Sequence, residues 1–364
     1  MSDSALCPPY PASASYFTSN LLTWYAEHGR HDLPWQVKDD PYQVWVSEIM
    51  LQQTQVKTVL NYFPRFVARF PTVQDLAQAE WDEVAPYWAG LGYYARARNL
   101  HKAAKQVVEQ GDFPNDLTAW QALSGIGRST AGALMSLGLG KFGVIMDGNV
   151  KRVLARYFAI SQDLSKRDVE QQLWQLAEYL TPQQQHADYT QAIMDLGATI
   201  CTPKKPLCLY CPMQQHCQAF LQGNVLDYPT KKIKKAVPTK TAHVLLLQLD
   251  NENNTLWYQR DSQGLWGGLY SLPMIEEQAD FDEFMAKYQL QVQEHWQLAH
   301  HFTHFTWQLN VHRIVINRQQ YQAILAEGQF ADLALQTFSS SQLAELAVPT
   351  AMKKIMQHFD LNID

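Results

Sequence analysis

Two solitary carboxylates are the residues of this chain best suited to acid–base chemistry. Glu48 is the only acidic residue between Asp40 and Asp75, and its surroundings read as a buried helix. A carboxyl in such a setting has a raised pKa and can hold a proton near neutrality. Asp147 follows an apolar run and precedes a helix starting near Asn149, so it is predicted to be an N-cap. A proton donor and an anion together are what cleavage of a glycosidic bond requires.

Each carboxylate also has a purely structural interpretation. Glu48 could bond to a helix end or to a buried arginine, and Asp147 could serve only as a helix cap. The capping and chemical roles of Asp147 are compatible, because a capping position keeps the carboxylate ionised while aiming it at a cavity.

Four of the five cysteines form a second candidate site, with the spacing C-x6-C-x2-C-x5-C. They are Cys201, Cys208, Cys211 and Cys217. Clustered thiolates favour a soft metal, either zinc or an iron–sulfur cluster. Structural zinc sites usually combine two close C-x2-C pairs, and only one such pair occurs here. The spacing therefore favours a [4Fe–4S] cluster, with zinc as the alternative and a disulfide less favoured, since nothing else indicates a secreted chain.

The segment L-S-G-I-G-R-S-T-A-G-A-L, residues 123–134, predicts a phosphate site. Gly125 and Gly127 flank an apolar residue, and a helix begins directly after them. Backbone N–H groups near both glycines would stay unpaired at a helix N-terminus, where they can bind a DNA phosphate. An ordinary tight turn between two helices is the alternative interpretation.

The elements that must position these residues are predicted to be helices. From residue 16 to about residue 220 the apolar residues follow a helical pattern, broken by proline, glycine and polar segments. Further on, strands are predicted at 242–249, 255–259 and 308–316, and helices at 281–288 and 341–359. The sequence therefore predicts an all-α domain closed by the cysteine loop, followed by an α+β domain.

The 364 residues are expected to form two domains. We predict a disordered tail at 1–15, a catalytic domain at 16–221, a linker at 222–240 and a second domain at 241–364. The tail carries the odd cysteine, Cys7, and lacks the features of a secretory signal. No apolar run is long enough to span a membrane, so an intracellular protein is expected.

The net charge of −6 argues mildly against a nucleic-acid partner, but the positions of the basic residues matter more. They cluster at 96–105, 151–156, 204–205 and 231–235. Solvated helix faces are the common reason for such clusters. Only their proximity to the motifs above favours DNA contacts.

These motifs, together with two further segments, resemble the MutY family of adenine DNA glycosylases. The segments are S-E-I-M-L-Q-Q-T-Q-V at 47–56 and G-L-G-Y-Y-A-R-A-R-N-L at 90–100, beside M-D-G-N-V-K-R at 146–152. The family belongs to the helix–hairpin–helix superfamily, which also contains endonuclease III. The resemblance covers nearly the whole chain, because the second domain is similar to the MutT-like C-terminal domain of the family.

The resemblance implies a hydrolase of base excision repair that removes adenine mispaired with 8-oxoguanine or guanine in double-stranded DNA. Glu48 would protonate adenine at N7. Asp147 would stabilise the oxocarbenium ion at the sugar or trap it briefly as a covalent adduct, and Asn149 would help to position both carboxylates. The cysteines would hold a [4Fe–4S] cluster whose role is structural, with charge transfer through DNA as a second role. The cluster loop would bring Lys204 and Lys205 to DNA phosphates.

The target adenine must be flipped out of the duplex, and the resemblance implies that Gln53, Leu91 and Tyr93 would fill the gap. Packing or a solvated surface is the alternative for each of these three residues. Relatives with lyase activity carry a lysine directly after the hairpin arginine, where its amine forms a Schiff base. That position is Ser129 here, so a monofunctional enzyme is expected, although Lys151 could form a minor adduct.

The resemblance also implies that a short loop of the second domain recognises the 8-oxoguanine. The loop is Phe302, Thr303 and His304, where the family commonly has serine in the middle. Diphosphate hydrolysis is not expected, because the MutT signature is missing after residues 264–268. A metal site at His300, His301 and His304 is disfavoured, because no acidic or cysteine partner lies beside them.

Other features of the sequence leave alternatives open. Ser124 replaces a proline that is usual in the hairpin. His31 and Gln191 are expected near the adenine pocket but receive no role. The competing functions are an endonuclease III-like enzyme for oxidised pyrimidines, a DNA-damage sensor and a nucleotide-pool hydrolase. A monomer in the bacterial nucleoid is expected.

Overall fold

The computed structural model describes residues 13–37, 40–230, 237–250, 252, 254–326, 330 and 333–361. Cys7 and the lysines at 231–235 lie outside this part of the chain, as does most of the predicted tail at 1–15. The described residues form two compact units. One falls within Met1–Gln78 and Asn99–Ile233, and the other within Ala79–Arg98 and Lys234–Asp364.

Up to Leu221 the described chain is helical, as the sequence predicts. The helices are α1 (Ala14–His28), α2 (Pro41–Leu51), α3 (Val56–Arg69), α4 (Val73–Gln78), α5 (Trp81–Trp88), α6 (Ala95–Gln110), α7 (Leu117–Ala122), α8 (Arg128–Ala133), α9 (Gly148–Tyr157), α10 (Arg167–Leu180), α11 (His186–Asp195) and α12 (Gln218–Leu221). Turns of π-helix at Leu134–Gly138 and Leu196–Ile200 extend α8 and α11. The first helix begins inside the predicted tail, because the Ser13 side chain caps it by accepting from the Tyr16 N–H.

The core of the first unit is built from amphipathic helices. On α10 the buried residues Val169, Leu173, Leu176 and Leu180 recur every three or four positions and form one apolar stripe. The stripe packs with buried residues of α1, α9 and α11. This packing fixes the start of α9 and the end of α11, where the candidate site lies. None of the described helices is both long and apolar enough to cross a membrane.

The second unit contains a mixed sheet with helices, which confirms the predicted α+β class. The strands are β1 (Thr239–Leu249), β2 (Thr255–Gln259), β3 (Tyr270–Ser271), β4 (Met274–Ile275), β5 (Glu294–His301), β6 (Thr306–Ile316) and β7 (Gln336–Phe338). The helices are α13 (Gln278–Lys287), α14 (Arg318–Ala326), α15 (Ser340–Leu343) and α16 (Thr350–His358). The strand order is β3-β2-β1-β6-β5, with β4 beside β1 and β7 beside β2; only β1 and β6 pair in parallel.

The strands predicted from the sequence are confirmed within β1, β2 and β6, and the helix predicted at 281–288 overlaps α13. The single helix predicted at 341–359 is wrong, because Pro349 interrupts it and becomes the N-cap of α16. Strand β5 was not predicted, since its residues alternate only between exposed and half-buried.

The segment Ala79–Arg98 lies inside the region predicted as the catalytic domain, yet it packs in the second unit. The Trp81 indole N–H donates to the Gly268 carbonyl at 3.0 Å. The Tyr94 hydroxyl donates to the Val348 carbonyl at 3.3 Å. These bonds fix the loop before α6 within the second unit.

Candidate active site

Glu48 lies on α2, and the packing of this helix fixes the direction in which its side chains point. Pro41 at the first turn favours helix initiation, and Trp45, one turn before Glu48, is fully buried. Glu48 itself is partly exposed and lines a cavity. Burial raises the pKa of Glu48 to about 7, and the nearby charge of Asp147 acts in the same direction.

Asp147 is the N-cap of α9, as the sequence predicts. Its carboxylate accepts hydrogen bonds from the backbone N–H of Asn149 at 3.0 Å and of Val150 at 2.8 Å. The Asn149 amide donates a third hydrogen bond, at 3.0 Å. Three N–H donors at a helix N-terminus stabilise negative charge at this position.

The two carboxyl groups line one cavity of about 380 Å³, a size typical of small-ligand sites. The cavity also brings together the predicted residues Gln53, Ser129 and Asn149. Glu48 can hold a proton near neutrality, whereas Asp147 is surrounded by hydrogen-bond donors. Two carboxyl groups with such different environments can act as an acid and as an electrostatic stabiliser of a cation.

Arg30 and Trp35 also line this cavity, and sequence reasoning missed both. Gln191, which was expected near the adenine pocket but received no role, lines the cavity as well. A second cavity of about 240 Å³ shares Glu48, Trp35 and Gln191 with the first, so these side chains separate two adjacent spaces. Gln191 is buried on α11, which gives it a polar group facing a cavity in an otherwise apolar setting.

The predicted glycine-rich hairpin connects α7 to α8. Gly125 has a φ of +79°, and a Cβ there would meet the Asn99 Cβ at 2.6 Å, so a larger residue would not fit. Gly127 is the N-cap of α8. Ser129, in the first turn of α8, accepts a hydrogen bond from the Met146 N–H at 2.9 Å. This contact ties the hairpin helix to the segment that leads to Asp147.

The predicted DNA-contacting residue Lys151 lies on α9 and forms an ion pair. Its Nζ is 2.8 Å from the Glu170 Oε1, and both side chains are partly exposed. An exposed pair of this kind is weak, so it leaves the ammonium free to exchange partners.

The second unit contains its own cavity, of about 540 Å³, which brings together most of the other predicted DNA-facing residues. Tyr93, Phe302, Thr303 and His304 line it. Tyr93 is 45% exposed and has a φ of +49°, so the loop presents its ring at the surface. Leu91 is 6% exposed, which favours the packing alternative over its predicted wedge role.

Aromatic rings support this loop of the second unit. The Phe302 ring stacks on Phe305 with centroids 4.7 Å apart, and it contacts His300 edge-on at 4.6 Å. Trp266 contacts the same ring at 5.8 Å. A ring cluster of this kind holds residues 302–304 in place beside the cavity.

The four cysteines line one small cavity of the first unit, so the structure brings together the set that the spacing indicates. Burial raises the pKa of the Cys211 thiol to about 12 and that of the Cys217 thiol to about 11, and it raises that of Cys208 as well. Buried thiols of this kind become thiolates when a metal offsets their charge. No three Cys, His, Asp or Glu side chains among the described residues are placed to hold a single ion.

Arg156 is the main support of the cysteine loop. It is 2% exposed, and its guanidinium donates to the carbonyls of Thr202 and Tyr228 at 2.8 and 3.0 Å and to the Cys201 sulfur at 3.3 Å. The Arg156 charge acts to lower the pKa of Cys208, against the larger effect of burial, which raises it. Arg156 was predicted only as one member of a basic cluster on α9.

Comparisons with known proteins cover both units. A family model of the HhH-GPD superfamily of base excision DNA repair proteins matches residues 46–179, and a NUDIX domain model matches residues 243–358. The adenine DNA glycosylase of Buchnera aphidicola subsp. Schizaphis graminum is 37% identical over 353 residues, which cover 94% of this chain and 98% of that protein.

More distant relatives give the same result. The human adenine DNA glycosylase is 33% identical over 413 residues, which cover 95% of this chain and 74% of that protein. Among solved structures, a thermostable thymine-DNA glycosylase matches with a TM-score of 0.53 and 31% identity. That match covers 57% of this chain and 97% of the other.

Proposed function

Since the chain belongs to the adenine DNA glycosylases, within the HhH-GPD superfamily of base excision DNA repair proteins, we propose that it removes adenine paired with 8-oxoguanine or guanine. One observation carries the chemistry. A single cavity holds Glu48, which can keep a proton near neutrality, and Asp147, whose environment favours negative charge. The NUDIX-like domain carries the preference for 8-oxoguanine.

The reaction breaks the bond between the sugar C1′ and N9 of adenine. Glu48 donates its proton to N7, so the electron pair of the breaking bond leaves with a neutral base. Asp147 stabilises the oxocarbenium ion that forms at C1′, and Asn149 holds the carboxylate in place. Water then adds to C1′ and returns a proton to the Glu48 carboxylate. The products are adenine and an abasic site.

Gln191 is proposed to recognise the flipped base. A glutamine amide can pair with the edge of adenine that carries the exocyclic amine. Gln191 faces the same cavity as Glu48, so one base can contact both side chains. Gln191 therefore contacts the edge that carries the exocyclic amine while Glu48 protonates the imidazole ring of the same base.

The hairpin of the first unit and the loop at residue 93 of the second unit are each proposed to contact the duplex. The backbone amides near Gly125 and Gly127 bind a phosphate at the N-terminus of α8, with Lys151 as a further cationic contact. Tyr93 and Gln53 fill the space left by the flipped adenine, because both have a positive φ that presents them from tight turns. Leu91 supports Tyr93 from the interior.

Ser129 makes the enzyme monofunctional. A hydroxyl has no amine with which to form the Schiff base by which a lysine would cleave the strand, and the Ser129 hydroxyl instead accepts the Met146 N–H. Strand cleavage after base release is therefore expected only with added alkali.

The loop of Phe302, Thr303 and His304 is proposed to contact the 8-oxoguanine, with Phe302 as a stacking surface and the Thr303 hydroxyl as a hydrogen-bonding group. The proposed domain bounds are 16–221 for catalysis, 222–240 for the linker and 241–364 for lesion recognition, except that Ala79–Arg98 belongs to the second unit. We propose that the protein acts as a monomer on nucleoid DNA.

Cys201, Cys208, Cys211 and Cys217 are proposed to bind a [4Fe–4S] cluster. When bound, the cluster cross-links the loop and supplies a redox-active group. Arg156 holds the same loop through its carbonyls, and Lys204 and Lys205 on the loop contact DNA phosphates.

A single-turnover assay tests the proposal. Duplexes with adenine opposite 8-oxoguanine, adenine opposite guanine, and thymine glycol opposite adenine are incubated with excess enzyme and analysed with and without alkali. We expect product only from the first two duplexes and only after alkali. Release of thymine glycol, or cleavage without alkali, would instead support an endonuclease III-like enzyme.

A further inference from the structure

A buried carboxylate accepts a hydrogen bond from the Gln191 amide and fixes the orientation of that amide. Asp195 is the last residue of α11, one turn after Gln191, and it is fully buried. The Gln191 Nε2 donates to the Asp195 Oδ1 at 2.9 Å. Neither Asp195 nor this contact has a role in the reaction described above.

Asp195 is itself fixed by Arg30. The Arg30 Nε donates to Oδ1 at 3.0 Å, and the Arg30 backbone N–H donates to Oδ2 at 2.8 Å. The guanidinium makes a further contact with Oδ1, so both carboxylate oxygens are engaged by donors. A carboxylate paired with arginine only accepts hydrogen bonds. Its partner on Gln191 must therefore be the amide nitrogen.

This contact decides which end of the amide faces the base. With the nitrogen turned to Asp195, the carbonyl oxygen Oε1 is left on the other side of the amide. No donor among the described residues reaches Oε1, and the side chain lines the cavity that holds Glu48. The cavity thus presents a hydrogen-bond acceptor, which is complementary to an exocyclic amine and repels a keto oxygen.

We propose that Asp195, fixed by Arg30, is the positioning residue that makes the cavity select a 6-amino purine over a 6-keto purine. The inference rests on the proposed function, since it assigns a cause to the base selectivity of the same site. Without Asp195 the Gln191 amide can rotate by half a turn and present its NH2 group, which suits a keto oxygen. Sites that hydrogen-bond one substrate group discriminate strongly for this reason.

A merely structural role for the ion pair gives a different expectation. Arg30 is in the loop that carries Trp35 into the cavity, so loosening this loop would slow removal of every base to a similar extent. The experiment must therefore compare bases that differ only at C6.

Asp195→Ser is the test variant, because a hydroxyl can donate or accept and no longer dictates the amide orientation. Single-turnover release is measured for adenine, hypoxanthine and unsubstituted purine, each opposite 8-oxoguanine in the same duplex. We expect the adenine-to-hypoxanthine rate ratio to fall by about tenfold or more relative to the unaltered protein, whereas the purine rate reports the general loss. The double variant Asp195→Ser with Arg30→Gln gives the same comparison without an unpaired guanidinium.

A further variant and a control separate the causes. Arg30→Ala removes the guanidinium that fixes Asp195, so its ratio should fall in the same direction as in Asp195→Ser. Asp188→Asn makes a carboxylate-to-amide change on an exposed position of α11 and should keep the ratio.

The outcomes distinguish this inference from the function on which it rests. No adenine release by the unaltered protein would overturn the proposed function. Normal release, with an unchanged ratio in the Asp195 variants and a lowered ratio in Gln191→Leu, would overturn the role of Asp195 alone. A lowered ratio in the Asp195 variants and in Arg30→Ala, but not in Asp188→Asn, supports it.

Discussion

Replacing Glu48 with glutamine should stabilise the protein above pH 7 while abolishing base release. The glutamine keeps the size and polarity of the side chain but cannot ionise. The unaltered carboxyl must lose its proton inside a partly buried cavity near Asp147, and this costs free energy. Glu48→Gln should therefore lose activity and gain stability above pH 7.

The size of the effect follows from the pKa of Glu48. Its pKa rises from 4.5 to about 7 on folding, and each pKa unit corresponds to about 1.4 kcal/mol, which gives an upper value of about 3 kcal/mol. Because water reaches the cavity and screens the charge, about 1–3 kcal/mol is expected. Below pH 4.5 both states are protonated. Between pH 4.5 and 7 only the unfolded chain loses its proton, so the stability of the unaltered protein falls with rising pH across this window.

Urea unfolding of the two proteins at pH 5 and pH 8 measures this difference. The free energy of unfolding of Glu48→Gln relative to the unaltered protein should be more favourable at pH 8 than at pH 5. Glu109→Gln, an exposed position on α6, is the matched control and should show no such change. An equal difference at both pH values would refute the reasoning that burial raises the pKa of Glu48.

Three other substitutions test other parts of the site. Asp147→Asn keeps an N-capping side chain, so stability should change by less than about 1 kcal/mol while single-turnover base release falls by about a hundredfold or more; a variant that retains its rate would remove Asp147 from the chemistry. Cys211→Ser should lower the iron and sulfide content from about four per chain, measured by elemental analysis, whereas Cys7→Ser should not. Unchanged iron in the first variant would contradict the proposed cluster. Thr303→Val removes one hydroxyl at nearly constant shape, so the preference for 8-oxoguanine over guanine in competitive binding should fall by about fivefold. Equal preference would place recognition elsewhere.

Much of the fold could be predicted from local patterns. The apolar periodicity of the first unit was correctly read, because burial of one face of a helix imposes a regular spacing. The strand at 255–259 was predicted from its residue types, since four consecutive residues of it are buried and show no alternation. The family comparisons confirm the resemblance seen in the motifs. The Asp147 cap was also predicted, because helix capping depends on residues that are adjacent in sequence.

Features that depend on distant residues could not be predicted. Arg30 meets Asp195 only after the helices pack, and no local pattern links positions 165 residues apart, whereas the Gln191 contact with Asp195 lies within α11. The sequence of Ala79–Arg98 likewise gives no sign that this segment packs in the second unit. Strand β5 was missed because a largely exposed strand has no strong apolar alternation.

The central claim is that Glu48 donates the proton that releases the base. The most direct test is the single-turnover rate of adenine release between pH 5 and pH 9, measured with the unaltered protein on adenine opposite 8-oxoguanine. A single protonated carboxyl with a pKa at or above about 7 predicts a plateau at low pH and then a fall of about tenfold per pH unit. A rate that stays constant up to pH 9, or that rises with pH, would contradict the assignment.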